Sequence, residues 1–457
     1  MHLQFDRGTI LVRDVPSGLD LADAPGLLWD ARVQAHRAPA FRYSALTRWL
    51  LERGVTFDAR GLGNHEPTRG WADPGLRDYQ AAALSAWELA GRWGLVVLPT
   101  GSGKTRIALA AMAATRLPAL CLVPTRVLLE QWRHEIATVY PHTVGCYGEG
   151  RREAAPVTVA TYESAYRHMD RIGARFGLLI VDEVHHFGCG FRDEALEMAL
   201  SGARLGLTAT PPRDPAHTGR LADIVGPTVY ELAIGDLTGR FLASFDVVTL
   251  HVDLTDEERA HYTNLHGRFT TAYAAFRHAL PQATWTDFVR AAGRSAEGRR
   301  AVAAWREARR LLALTQTKRD TLRALLDRHS AARVLIFTAD NASAYTIARE
   351  HLIMPLTCDI GRLERDQVLD AFRQGQLRAL VSSRVLNEGL DVPDADVAVI
   401  VGGALGEREH VQRIGRLLRP TPGKRALVYE LVTRQTLEVS QAWRRRQGLV
   451  VRRSAQL

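Results

Sequence analysis

Long apolar runs are missing from this chain: no stretch of its 457 residues approaches the roughly 18 residues that span a bilayer. A helical membrane protein is therefore not expected. Cysteine is scarce. Cys121, Cys146, Cys189 and Cys358 stand far apart, which argues against a disulfide scaffold or a paired-cysteine zinc site. The opening residues, Met1 to Asp14, lack the basic-then-apolar layout of a secretory signal. The chain reads as cytoplasmic, with no membrane partner. Lysine is nearly absent, at Lys104, Lys318 and Lys424 only, so arginine carries almost all of the positive charge. That skew is better explained by GC-rich coding than by binding, but it makes Lys104 conspicuous.

What is present is ordinary for a globular protein: 46% hydrophobic and 24% charged residues, which excludes disorder as the main state. The length suits about three domains. A net charge of +9 and a pI near 9.7 point to a polyanion partner, most simply nucleic acid, or to a generally basic protein.

The organisation is legible in the patterning. His2 to Phe5 and Thr9 to Val12 read as two strands around a turn, and Tyr43 to Arg53 as a helix stopped by Gly54. Arg60 to Gly75, rich in Gly and Pro, reads as a linker. From Leu76 onwards, short apolar runs alternate with helical patterns, as in buried parallel sheets. The runs fall at Leu95–Leu98, Ala119–Val123, Val157–Ala160, Leu178–Val181 and Leu205–Leu207. They return at Val334–Phe337, Leu352–Leu356, Ala379–Ser382, Val397–Val401 and Ala426–Leu431. Two α/β domains are expected, with a helical insertion over roughly 255–330 between them.

Leu98-Pro99-Thr100-Gly101-Ser102-Gly103-Lys104-Thr105 follows an expected strand and opens a helical pattern. A phosphate loop requires that context. Backbone N–H groups from Thr100 to Gly103 can wrap phosphates, Lys104 can neutralise the β/γ charge, and the Thr105 hydroxyl can ligate Mg²⁺. The strand Leu178 to Val181 ends in Asp182-Glu183-Val184-His185-His186, placing Asp182 to hold Mg²⁺ and Glu183 beside the attacking water. Reading His185, His186 and Cys189 as zinc ligands lacks a fourth ligand at suitable spacing. Arg413, Arg416 and Arg419 recur at helical spacing on one face. Arginines offered across an interdomain cleft can stabilise a transferring phosphoryl group; the plainer alternative is a solvated basic helix face.

These motifs, in order, resemble those of a superfamily 2 helicase. Lys104-Thr105, Asp182 to His185 and Thr208-Ala209-Thr210 look like motifs I, II (a DExH box) and III. The resemblance implies that Arg77 and Gln80 of Arg77-Asp78-Tyr79-Gln80 sit at the nucleotide, with Gln80 reading adenine. It implies that Thr125, Arg126 and Thr161 touch the nucleic-acid backbone, as do Thr338 of motif IV and Ser383 and Arg384 of motif V. Gly389 and Asp391 of motif V would serve the nucleotide, and Gln412, Arg416 and Arg419 of motif VI catalysis.

Within that superfamily the chain is most similar to XPB-type DNA repair helicases of archaea and bacteria. The opening Phe5-Asp6-Arg7-Gly8-Thr9-Ile10 and Arg37-Ala38-Pro39-Ala40-Phe41-Arg42-Tyr43 match that family's small damage-recognition-like domain. The resemblance implies two RecA-like parallel-sheet domains, a helical thumb insertion and a small N-terminal α+β domain. The boundaries expected are 1–70, 71–238 and 239–457, with the thumb over about 255–310. The activity implied is ATP- and Mg²⁺-dependent 3′→5′ translocation on DNA in nucleotide excision repair, at the nucleoid, alongside a nuclease partner. Single-stranded, forked or damaged duplex DNA would be the substrate. An ATP-gated DNA scaffold that recruits a nuclease and unwinds little, a restriction- or recombination-type translocase and an RNA helicase are the alternatives. One departure keeps the scaffold alive: where the family carries an Arg-Glu-Asp triplet, this chain reads Arg213-Asp214 among prolines, without the Glu.

In the insertion, Tyr262, Leu265, Phe269, Tyr273, Phe276 and Leu280 recur at helical spacing, a stripe expected to pack on a second helix. Downstream, residues 290–323 hold ten basic and three acidic side chains. That excess suits a thumb that grips phosphates, or a solvated helix face.

Overall fold

The computed structural model describes residues 1–63, 65–148, 150–190, 192–212, 214–232, 244–383, 395–402 and 425–447. The chain divides into two units, residues 1–233 and 234–457.

The first unit opens with strands β1 (His2–Asp6), β2 (Thr9–Arg13), β3 (Leu28–Asp30) and β4 (Ala35–Pro39), paired antiparallel in the order β1-β2-β4-β3. Helix α1 (Tyr43–Glu52) buries Leu46, Trp49 and Leu50 against Leu3, Ile10 and Val12 of that sheet. Leu200, far along the chain, completes this small core. The expected linker is docked rather than loose. Thr68 N–H donates to Arg116 O at 2.7 Å, Ala72 N–H to Val139 O at 2.8 Å, and the Trp71 ring lies tilted against Tyr140 with 4.5 Å between centroids.

Helix α2 (Asp78–Leu89) leads into β5 (Trp93–Val97), α3 (Lys104–Thr115), β6 (Ala119–Val123), α4 (Arg126–Ala137), the hairpin β7 (Gly145–Gly148) with β8 (Arg151–Glu153), and β9 (Val157–Thr161). Then follow α5 (Tyr162–Ile172), β10 (Leu178–Asp182), α6 (Glu194–Glu197), β11 (Ala203–Thr208), α7 (Pro215–Ile224) and β12 (Thr228–Glu231). Among the described residues these strands form one sheet, β12-β5-β11-β10-β6-β9-β7-β8, parallel except at the β7–β8 hairpin. Every residue of β6, β9, β10 and β11 is buried, which is why β6 and β10 up to Asp182 read as continuous apolar runs and β9 and β11 as largely apolar ones, broken by Thr158 and Arg204.

The second unit begins with β13 (Ser244–Val252) and the helices α8 (Asp256–Ala279), α9 (Trp285–Ala292), α10 (Ala296–Ala313) and α11 (Gln316–Arg328). Thr255 and Glu258 close a reciprocal capping box at the start of α8. Tyr262 and Leu265 of α8 pack on Ala304, Ala308 and Leu312 of α10, while Phe269, Tyr273 and Phe276 gather around Phe288 of α9. The aromatic stripe is therefore a packing face, as expected, except that Leu280 falls at the helix C-cap and is exposed. The unit continues with β14 (Val334–Phe337), α12 (Asn341–His351), β15 (Met354–Leu356), α13 (Arg362–Arg373), β16 (Ala379–Ser382), β17 (Val397–Ile400), β18 (Arg425–Thr433) and α14 (Leu437–Gln447). Its described strands make a fully parallel sheet, β13-β18-β17-β14-β16-β15. Two parallel sheets flanked by helices are the α/β fold the sequence implied. Among the described residues no helix is long and apolar enough to cross a membrane.

Candidate active site

In open parallel sheets, ligands bind beyond the carboxyl ends of the strands. In the first unit that edge collects the loops after β5, β6, β9, β10 and β11, which carry most of the residues singled out in the sequence. The sheet order sets Lys104 after β5, Asp182 at the end of β10 and Thr208 at the end of β11 as neighbours. Thr125 after β6 and Thr161 at the end of β9 come next along the same edge.

The loop from Pro99 to Gly103 is held tightly. Ser102 is fully buried, and its hydroxyl donates to Pro99 O at 2.7 Å. Gly101 and Gly103 have φ of +82° and +77°, in the left-handed region. A side chain at Gly103 would also meet Gln80 Nε2 at 2.6 Å, so this position requires glycine on two counts. Gln80 is buried and uses its amide locally: Nε2 donates to Ser102 O at 2.8 Å, and Oε1 accepts from Arg77 N–H at 2.9 Å. Tyr79, to which the sequence pattern assigns no role, donates its hydroxyl to the same Ser102 O at 2.6 Å. The segment Arg77 to Gln80 thus braces the loop from behind. Lys104 Nζ lies 3.2 Å from Leu98 O, and the Thr100 hydroxyl is buried without a hydrogen-bond partner among the described residues.

Opposite the loop, Asp182 ends β10 almost fully buried. Burial pushes its carboxyl up from the ordinary range, while the nearby Lys104 ammonium and the Trp132 indole hold it down. Trp132 Nε1 donates to Asp182 Oδ2 at 2.9 Å, and Glu183 N–H donates to Oδ1 at 3.1 Å. Glu183 itself has φ +51°, a left-handed conformation costing about 1 kcal/mol for a residue with a side chain. Such local strain is typical of functional turns. Tyr162 at the start of α5 donates its hydroxyl to the carbonyl of Asp182. His185 Nδ1 lies 2.9 Å from Thr208 Oγ1 and 3.5 Å from Glu183 Oε2, connecting the second motif to the third. The Thr210 hydroxyl, also buried, has no hydrogen-bond partner among the described residues.

Trp132 and Tyr162 anchor the carboxylate turn, and the sequence pattern assigns neither of them that role. Tyr162 lies in the segment Thr161-Tyr162-Glu163-Ser164 that resembles motif Ic, Trp132 lies in no such segment, and only the three-dimensional contact links them to Asp182. Among the described residues no group of three or more His, Cys, Asp or Glu side chains could hold a metal ion. A magnesium ion needs no such group, because it is usually held by one or two carboxylates, phosphate oxygens and water. One buried carboxylate, the Thr105 hydroxyl in the first turn of α3 and a phosphate loop are a donor set of that kind.

The residues expected at nucleic acid divide. The Thr125 hydroxyl accepts from Leu128 N–H at 3.3 Å and the Thr161 hydroxyl from Ser164 N–H at 3.3 Å, so both cap helices, α4 and α5. Arg126 opens α4 beside that cap. In the second unit, Thr338 is fully buried, with its hydroxyl donated to Asp340 O at 3.0 Å. Ser383 is also buried and donates to Asn341 Oδ1 at 2.5 Å. Arg213, Arg384, Gly389, Asp391, Gln412, Arg413, Arg416 and Arg419 lie outside the described residues.

Similarity to known proteins follows the same division of the chain. Residues 3–60 match the xeroderma pigmentosum group B helicase damage recognition domain. Residues 73–213 match the res subunit of type III restriction enzymes, and residues 317–421 the helicase conserved C-terminal domain. Among solved structures, the helicase domain of Hef from Pyrococcus furiosus superposes with a TM-score of 0.53 at 19% identity, over 80% of this chain and 97% of that one. Dbp5 of S. cerevisiae bound to RNA and ADP BeF3 superposes with a TM-score of 0.55 at 17% identity, over 81% and 87%. Both share the fold. The DNA 3′-5′ helicase XPB of Mycobacterium tuberculosis is 31% identical over 86% of this chain, which spans 66% of that protein. The DNA 3′-5′ translocase XPB2 of Sulfurisphaera tokodaii is 35% identical over 94% of this chain and 98% of its own length. With a phosphate loop, a DExH turn and a damage-recognition domain aligned end to end with such a relative, the chain belongs to the XPB family of DNA 3′→5′ helicases and translocases.

Proposed function

We propose that this chain hydrolyses ATP at the carboxyl edge of its first parallel sheet and uses the cycle to move 3′→5′ along DNA in nucleotide excision repair. The observation that carries this reading is the cluster of Lys104, Asp182, Glu183 and the His185–Thr208 contact around one braced phosphate loop. In the reading, backbone N–H groups from Thr100 to Gly103 cradle the phosphates, Lys104 binds their charge, and Gln80 and Arg77 lie at the nucleotide. Thr105 and Asp182 would hold magnesium, which supplies charge neutralisation at the phosphates when bound. Glu183, turned by its left-handed backbone and faced by His185, orients water and takes its proton. The resemblance to superfamily 2 helicases assigns Gln412, Arg416 and Arg419 to catalysis and Gly389 and Asp391 to the nucleotide.

DNA would run over the N-termini of α4 and α5. There the caps leave first-turn N–H groups for phosphates, and Arg126 adds charge. The thumb helices α8 to α10 would add a grip. Arg306, Arg309 and Arg310 of α10 line a pocket of about 240 Å³ together with Trp305 and Asp340. The protein would act in the cytoplasm at the nucleoid, with a nuclease to cut what it opens.

A second reading is favoured by one contact. Asp214, expected as a remnant of the unwinding triplet, accepts from His217 N–H at 2.8 Å and caps α7. An acid used as a cap is not free to separate strands, so a translocating scaffold with little unwinding fits that element. Measuring ATP hydrolysis, translocation and strand displacement on single-stranded, forked and duplex DNA and on RNA separates the two. DNA-stimulated hydrolysis with translocation is expected. Stimulation by RNA alone would overturn the reading.

A further inference from the structure

Helix α4 has two ends with different surroundings. At its N-terminus Thr125 caps the helix beside Arg126, the residues we assign to the DNA backbone. About two turns further on, Trp132 is almost fully buried. Its only ring N–H donates to Asp182 Oδ2 at 2.9 Å, and the two side chains are 50 residues apart in sequence. The other carboxylate oxygen accepts from the backbone N–H of Glu183 at 3.1 Å. A carboxylate held in this way cannot turn about its terminal bond without losing a charge-assisted hydrogen bond in a buried, low-dielectric site. The indole is equally constrained. An α-helix is stiff over two turns, so a shift of the Thr125 end moves the ring and with it the oxygen it holds.

We propose that Trp132 is a positioning residue that fixes the Asp182 carboxylate for magnesium and links the DNA-contacting end of α4 to that carboxylate. The proposal rests on the reading of Asp182 as a metal ligand and of Thr125 as a DNA contact. It goes beyond that reading by giving a role to a residue outside the nucleotide motifs, and by stating how DNA reaches the metal site.

The test uses the full chain and reads binding, not turnover. A fluorescent ADP analogue is titrated with magnesium, with and without saturating single-stranded DNA, for the parent, Trp132→Phe and Asp182→Asn. Trp132→Phe removes the donor and keeps an aromatic ring. Replacement of Trp132 by 3-benzothienylalanine, which keeps the bicyclic shape and lacks the N–H, serves if the phenylalanine variant does not fold. Affinity for the analogue without magnesium should be unchanged. The magnesium concentration of half-effect should rise about tenfold, the scale of one lost hydrogen bond to a charged group. DNA should lower that concentration in the parent and leave it unmoved in the Trp132 variant. A Trp132 variant with the parent's magnesium dependence, while Asp182→Asn is shifted, overturns the proposal alone. An unshifted Asp182→Asn overturns the metal reading and the proposal with it. A parent that does not respond to DNA, or a Trp132 variant that responds as the parent does, overturns the link to α4.

Discussion

Arg42 at the end of the N-terminal sheet domain donates through Nη2 to both carboxylate oxygens of Asp223 on α7, at 2.7 and 2.9 Å. The neighbouring Phe41 is buried in the core of the large sheet, where its ring lies 5.7 Å from the Arg204 guanidinium. Arg204 is itself fully buried, its pKa lowered by burial to about 9. That value still leaves it charged at neutral pH, supported by the carbonyls of Ala199, Ser201 and Ile224 and by the Trp93 ring at 5.0 Å. The N-terminal domain is therefore built into the ATP-binding unit rather than tethered to it.

The first prediction follows from that packing. Phe41→Ala should lower stability by about 3 kcal/mol, the usual cost of emptying a buried aromatic site. Arg42→Ala should cost under about 1 kcal/mol, because the ion pair is one-third exposed. Thermal unfolding of the Phe41→Ala variant should show the N-terminal domain and the first sheet melting together. Two separate transitions in the parent would contradict the shared core.

Much of this was legible in the sequence, and the part that was not has a common cause. Buried parallel strands announce themselves as unbroken apolar runs, so Ala119–Val123 and Val334–Phe337 fall where the structure has them. The hairpin Gly145–Gly148 with Arg151–Glu153 was missed because glycine and charge at a sheet edge mimic a loop. The strand Ser244–Val252 was missed because its polar residues interrupt the run. In the candidate site, Lys104, Asp182 and Glu183 were legible as motif residues, since a phosphate loop and an acidic strand end each have a local sequence pattern. Tyr79, Tyr162 and Trp132 were not. Their roles depend on which carbonyl or carboxylate the fold brings within reach, and a linear pattern does not hold that information.

Lys104 and Glu183 should fail differently. Lys104→Ala removes a cation from the phosphates and should weaken nucleotide affinity by about tenfold or more, with turnover lost. Glu183→Gln should lose turnover by about a hundredfold and keep nucleotide affinity, because general-base catalysis is removed and binding is not. Equilibrium binding of labelled nucleotide beside steady-state hydrolysis distinguishes them. Equal loss of affinity in both would contradict these roles.

Lys318 was counted in the sequence among the basic residues of a phosphate-gripping surface, and the structure corrects this. Its ammonium is fully buried, 2.8 Å from Glu438 Oε1 and 2.7 Å from Leu312 O, because the first turn of α11 directs it to the end of α10 and to Glu438 of α14. Lys318→Met alone should leave the buried Glu438 carboxylate uncompensated and cost about 3–5 kcal/mol. Combining it with Glu438→Leu should recover much of that loss. Denaturant melts of the two single variants and the double variant give the coupling directly. Additive losses would mean that the pair is not the source of the effect.

The last prediction concerns the remaining positive face of the insertion. Replacing residues 258–300 with a flexible linker would strip the apolar face from α10, since Ala304, Ala308 and Leu312 pack on α8. Changing exposed charge on α10 is the cleaner experiment. Arg299, Arg300, Arg306 and Arg310 are all exposed, while Arg319 is engaged with Glu350 at 2.9 Å. Converting those four arginines to glutamine should leave basal hydrolysis measurable, because the nucleotide motifs lie elsewhere. Each arginine that holds a phosphate releases about 0.9 counterion on binding, so its loss should flatten the salt dependence of DNA affinity by about one unit. DNA affinity and strand displacement should therefore fall together at low salt and converge with the parent at high salt. An unchanged slope would mean that these arginines are only a solvated helix face.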